Sequence, residues 1–157
     1  MKIEKTFLVG SGVFFNGLKG YSSKDEDYLH VCNPYPKIKC NNLFLHIFPE
    51  NTKNGKGRDE IFMRKMTKEE YITTSLECKE YLRLGKYIVP EFIDYLGFTI
   101  NDLKKLAPLF KRLDDKHQYE KIIADAYIKN KSFTLTEEQR LKAYKSYCES
   151  RGKEFPY

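Results

Sequence analysis

The chain has no tryptophan, and its 157 residues include only 3 histidines, 3 methionines and 4 cysteines. So little histidine and cysteine leaves sparse material for a transition-metal centre. The nearest grouping, His30, Cys32, Cys40 and His46, follows none of the common zinc-ligand spacings. No C-x-x-C pair occurs among Cys32, Cys40, Cys78 and Cys148, and disulfide scaffolding is not expected in a reducing compartment. No apolar run approaches the roughly 20 residues of a membrane span. The run that follows the N-terminal lysines, Phe7 to Val9, is too short for the centre of a signal peptide. Cytoplasmic residence without a membrane partner is the expectation. Blocks of five or more like charges, internal repeats and low-complexity tracts are also missing, which argues against a charged tail or a solenoid.

Apolar residues make up 41% of the chain, with 12 Tyr and 11 Phe. That composition suits one globular domain with a substantial core. Tyrosine hydroxyls need partners, so the rings are expected at the edge of the core. The formal charge of +6 is compatible with an anionic partner such as a nucleotide or nucleic acid, and equally with solvated lysine faces.

The chain changes character near residue 66. Residues 1–66 read as a strand-rich core and 67–157 as a helical part packed on it in one compact unit, an α+β fold with a small mixed sheet. Strands are expected at Thr6 to Val9, Tyr28 to Cys32, Leu43 to Phe48 and Ile61 to Met66, with a short helix over Val13 to Leu18 and a hairpin loop from Pro49 to Arg58. Thr67 with Glu70, and Thr136 with Gln139, form capping boxes that start helices. Pro90 suits the first turn of a helix ending before Gly97, and Thr99 caps the next. Pro108 predicts a kink or break within that helix. A further amphipathic helix spans His117 to Asn130.

The chemistry-bearing stretch is Gly10-Ser11 followed, after thirteen residues, by Asp25-Glu26-Asp27-Tyr28. In an extended segment alternate side chains share a face, which puts Asp25 and Asp27 together and Glu26 opposite. Two carboxylates about 4 Å apart repel by about 4 kcal/mol at an effective dielectric near 20. Exposure to water relieves that repulsion, and so does Mg²⁺, a hard ion that takes carboxylate and phosphate oxygens together. A glycine-serine turn entering a helix presents N–H groups and a hydroxyl to a triphosphate.

Strand, Gly10-Ser11, short helix and Asp25-x-Asp27 strand resemble the signature of the nucleotidyltransferase superfamily typified by DNA polymerase β and the small bacterial antitoxin-like transferases. The resemblance covers about residues 6 to 31. It implies that Asp25 and Asp27 are catalytic and bind two Mg²⁺ ions, and that Gly10 and Ser11 bind the substrate phosphates. It also implies transfer of a nucleoside monophosphate from a nucleoside triphosphate to a hydroxyl, the acceptor being a protein, an RNA end or a small molecule. Three departures stand beside it. Glu26 occupies a position that is usually apolar. Only about five residues precede the first strand. The third strand carries His46 where a third acid is expected, leaving Glu50, Asp59 and Glu60 as candidates. A degenerate site, in a non-catalytic nucleotide- or nucleic-acid-binding module, is the alternative. Lys104, Lys105, Lys111 and Arg112 read first as the solvated side of a helix, with a basic stripe for a phosphate backbone as the alternative, and Lys53, Lys56 and Arg58 in the glycine-containing loop suit either an exposed hairpin or a loop closing over an anionic substrate. Asp114, Asp115 and His117 read as helix-capping residues.

Overall fold

The computed structural model describes residues 2–22, 25–33, 44–47, 57–77, 89–110 and 114–157, with the backbone alone at Asp25, 44–47 and 57–59. The fold is α+β. Strands β1 (Ile3–Val9), β2 (Asp25–Cys32), β3 (Phe44–Ile47) and β4 (Gly57–Arg64) form one mixed sheet in the order β1-β2-β4-β3. β1 and β2 are antiparallel, β2 and β4 parallel, β4 and β3 antiparallel. Helix α1 (Ser11–Phe15) joins β1 to β2. After the sheet come α2 (Lys68–Glu77), α3 (Pro90–Leu96), α4 (Ile100–Phe110), a 3₁₀ turn (Asp115–His117), α5 (Gln118–Asn130) and α6 (Glu137–Ser150). Among the described residues no helix is long and apolar enough to cross a membrane.

The strands alternate as the period of two requires. Phe7, Val9, Leu29, Val31, Ile61 and Met63 are buried on one face, against the helices. Phe7 meets Phe92 and Tyr95 of α3 edge-on, and Tyr71 of α2 meets Phe92. Phe15 of α1, fully buried, is ringed by Tyr21, Tyr119, Tyr144 and Tyr147 at centroid distances of 5.2–5.9 Å. Tyrosines thus lie deeper than composition suggested: Tyr71, Tyr127 and Tyr144 are among the largest fully buried side chains. Short-range partners make this possible. Tyr144 donates to the Lys19 carbonyl at 2.7 Å, and burial pushes its hydroxyl up to about 12, so it remains a donor at neutral pH.

Helix starts follow local chemistry. Both capping boxes form, Thr67 with Glu70 and Thr136 with Gln139. Pro90 opens α3, and Gly97, at φ 74°, closes it. Pro108 breaks nothing: α4 runs through it to Phe110. The proline N–H would have bonded only the Lys104 carbonyl, so the helix loses a single backbone bond there. The short helix begins at Ser11, two residues earlier than the sequence suggests, and ends at Phe15. α2 is described to Glu77, and the part of the expected Pro49 to Arg58 loop that precedes β4 lies outside the described residues.

Asp102 ties α2 to α4. Its carboxylate accepts from the Thr99 N–H (2.8 Å) and hydroxyl (3.0 Å) and pairs with Lys68 of α2 at 3.2 Å. Burial pushes the carboxyl upward, but the bonds from the Thr99 N–H, Lys68 and the Thr99 hydroxyl outweigh it and hold its pKa below 3.8. A carboxyl depressed on folding stabilises above its unfolded pKa, and that contribution is lost as pH falls through the folded value. Asp102→Asn is therefore expected to lower stability at neutral pH, with the gap to wild type closing below about pH 3.8. Urea unfolding of both proteins across that range measures it.

Candidate functional site

The turn from β1 into α1 is built around Gly10. Its φ of 88° and ψ of −169° fall in a region that is essentially glycine's alone. Space makes the same demand, since a Cβ there would lie 2.4 Å from Oδ2 of Asp27. The reason is register: Val9 pairs with Asp27 across the antiparallel β1–β2 ladder. The carboxylate of Asp27 therefore stands directly against the Gly10 backbone, with its Oδ1 shielded from solvent. Glycine-serine turn and second aspartate, separate in sequence, meet in space.

Ser11 follows at the first position of α1, and its hydroxyl lies 2.8 Å from the Tyr21 hydroxyl. With Tyr21 as donor, the Ser11 hydrogen is left for an oxygen ligand. α1 is held from a distance. Arg140 of α6 donates from Nε to the Phe14 carbonyl and from Nη2 to the Asn16 carbonyl, both at 2.6 Å, satisfying carbonyls that a helix end leaves open. Tyr144, one turn on, reaches Lys19, whose N–H donates to the Tyr157 hydroxyl at 2.9 Å.

Asp25 and Asp27 are both inside β2, which begins three residues earlier than the expected Tyr28. Glu26, between them, takes the opposite strand face, where it accepts from the Tyr28 hydroxyl. That explains why a charged residue stands at a position expected to be apolar. The neighbour of β2 is β4, not β3, and the two run parallel with Asp27 level with Asp59 and Asp25 level with Gly57. Of the three candidate third acids, Glu50 lies outside the described residues. Glu60 bonds His30 on the face opposite Asp27. Asp59 shares the register position of Asp27. His46 sits on the far strand, paired with Ile61. Sequence left the third acid open because parity on β4 becomes meaningful only once β4 is known to lie beside β2. Among the described residues no cluster of three His, Cys, Asp or Glu side chains is arranged around a metal position; the side chains of Asp25 and Asp59 are not among them.

Other sequence candidates separate. Lys104 and Lys105 are exposed on α4, while Lys111 and Arg112 lie outside the described residues, as do Lys53 and Lys56. Asp114 and His117 bond each other at 2.5 Å at the entrance to α5, and neither side chain makes the expected capping bond to a helix start. Comparison with protein-family models, curated proteins and solved structures finds no match.

Two outcomes check this construction. Gly10→Ala forces both a strained φ and a collision with Asp27, and is expected to cost about 1–3 kcal/mol in strain alone, more once Asp27 is displaced. Arg140→Ala removes two charge-assisted bonds and should cost about 2–4 kcal/mol. Arg140→Lys is expected to recover less than half of that, because one ammonium cannot reproduce the fork. Equilibrium denaturation of the three variants against wild type reads both.

Proposed function

We propose that this chain is a cytoplasmic nucleotidyltransferase-like protein that transfers a nucleoside monophosphate from a nucleoside triphosphate to a hydroxyl acceptor with Mg²⁺. The observation that carries this reading is the convergence at one end of the sheet. The Asp27 carboxylate abuts the Gly10-Ser11 turn, and the parallel pairing of β2 with β4 puts Asp59 level with it.

The donor chemistry suits the ion: carboxylate oxygen at Asp27, with aspartates one strand step away at Asp25 and across the ladder at Asp59, is what Mg²⁺ takes in preference to nitrogen or sulfur. Bound there, the ion would neutralise phosphate charge and orient the triphosphate. The rest falls to the chain's own residues. Gly10, lacking a side chain, leaves room for the Asp27 carboxylate against the turn, and the turn's backbone N–H groups would meet phosphate oxygens beside it. The Ser11 hydroxyl, oriented by Tyr21, adds a donor. Asp27 is held in place by the turn it packs against. Asp59, level with Asp27 in the ladder, would take the proton from the acceptor hydroxyl. Arg140 and Tyr144 keep the turn from drifting, which matters because misplacement by about 1 Å costs roughly a hundredfold in rate.

Calorimetric titration with ATP, with and without magnesium chloride, tests the reading. Binding should need the metal, and Asp27→Asn should weaken it by about tenfold or more, roughly 1.4 kcal/mol. Asp59→Asn should slow label transfer from radioactive ATP into a cell extract by about 10²-fold or more. Equal affinity without magnesium, or in Asp27→Asn, rejects the transferase. Salt-sensitive RNA or DNA binding in its place would identify a non-catalytic module acting through Lys104 and Lys105.

A further inference from the structure

The opposite face of the sheet carries a second group of functional side chains, drawn from three adjacent strands. Thr6 on β1 pairs with His30 on β2, and Glu60 on β4 is one step diagonal from His30, level with Tyr28. The Thr6 hydroxyl lies 2.8 Å from Nδ1 of His30, and Nε2 of the same ring bonds Oε2 of Glu60. We propose that Thr6, His30 and Glu60 form a hydrolytic site for small carboxylic esters, with Thr6 as the nucleophile.

Tautomer and burial carry the argument. An ionised carboxylate has no proton to give, so the His30–Glu60 bond is donated by Nε2–H, which leaves Nδ1 of the neutral ring as an acceptor facing the Thr6 hydroxyl. Hydroxyl, imidazole and carboxylate then stand in the order that activates a hydroxyl nucleophile: the base within bonding reach of the nucleophile and itself oriented by a third group. His30 is 5% exposed, its ring beside that of Phe62 at 5.1 Å, so its orientation is fixed by packing as well as by hydrogen bonds. Thr6 is exposed and open to a substrate. Leu8, two residues on and 39% exposed, is on the same strand face and offers apolar surface to a short acyl chain.

The reaction closes without a cofactor. Thr6 Oγ1 attacks the ester carbonyl carbon while Nδ1 takes its proton. The C–O bond to the leaving alcohol breaks, and the alcohol departs with that proton. Water, deprotonated by the same ring, then attacks the acyl-threonine, the Thr6 oxygen is reprotonated, and the acid leaves. Glu60 is a positioning residue in both halves.

The probe is para-nitrophenyl acetate with the full-length chain. Expected is release of nitrophenol with an initial burst, and an acetyl group on Thr6 found by peptide mass spectrometry after acid quench. Thr6→Val, nearly isosteric and exposed, should abolish the burst and the adduct, whereas Thr6→Ser should keep both. His30→Gln should slow acylation by about 10³-fold or more, and Glu60→Gln by roughly 10²-fold, because an amide N–H can turn to the ring and impose the wrong tautomer. Imidazole added to His30→Gly should restore part of the rate, which a purely structural histidine would not allow. Acetylation of Thr6→Val at the wild-type rate, or label confined to lysines, overturns the proposal. Should the His30 variants fail to fold, the Thr6 pair still decides it. Activity toward ATP is untouched by either result, because Thr6, His30 and Glu60 lie across the sheet from Asp27.

Discussion

A five-residue helix does not stay in place by its own hydrogen bonds, because nucleating a helix costs more than one turn returns. α1 is that short, and it carries the turn on which Gly10, Ser11 and Asp27 meet. What holds it is Arg140, reaching from the last helix to two carbonyls at its end. The buried Phe15 adds an anchor inside a tyrosine ring from α5 and α6. The helical half is therefore part of the candidate site's construction even though it supplies none of the acids.

The sheet sorts the acidic residues of β2 and β4 by parity. Asp27 and Asp59 are level with one another on paired strands, and Asp27 meets the Gly10 turn. Glu26, Glu60 and His30 belong to the alternate positions, where each finds a local partner. A run that reads Asp-Glu-Asp in this sense divides between the two faces of the sheet. Mutual repulsion is reduced because consecutive carboxylates face away from each other. Neighbouring residues thus face different surroundings: the Gly10 turn beside Asp27 on the helix-covered face, where we propose phosphate and metal binding, and a hydroxyl–imidazole–carboxylate line on the other.

Signals confined to a few residues were legible and mostly right. Thr67 with Glu70, Thr136 with Gln139, Pro90 with Gly97, and Thr99 before Asp102 each specify a helix end through bonds spanning three or four residues. Pro108 misled as a break because the one backbone bond it removes is outweighed by the packing of Leu106, Leu109 and Phe110 on either side of it. The strand boundaries erred in the same way. β1 extends back to Ile3 because it pairs with β2 as far as Cys32, and β2 extends back to Asp25 because it pairs with β4 as far as Gly57; a polar residue in a paired strand keeps its backbone bonds whatever its side chain. The depth of the tyrosines was missed because their hydroxyl partners, such as the Lys19 carbonyl for Tyr144, come from distant segments.

By itself the sequence determined the α+β class, the helix starts, and the fact that a glycine-serine turn and an Asp-x-Asp pair follow in an order suited to a phosphate and a metal. Tertiary structure decided which acid stands level with Asp27, why Gly10 tolerates no side chain, and that Thr6, His30 and Glu60 form one line. The division has a physical origin. Caps and periodicity are enforced between residues within a turn or two of each other. Strand order, register and the 126-residue reach from Arg140 to Phe14 are chosen by the packing of the whole chain, where no local pattern records them.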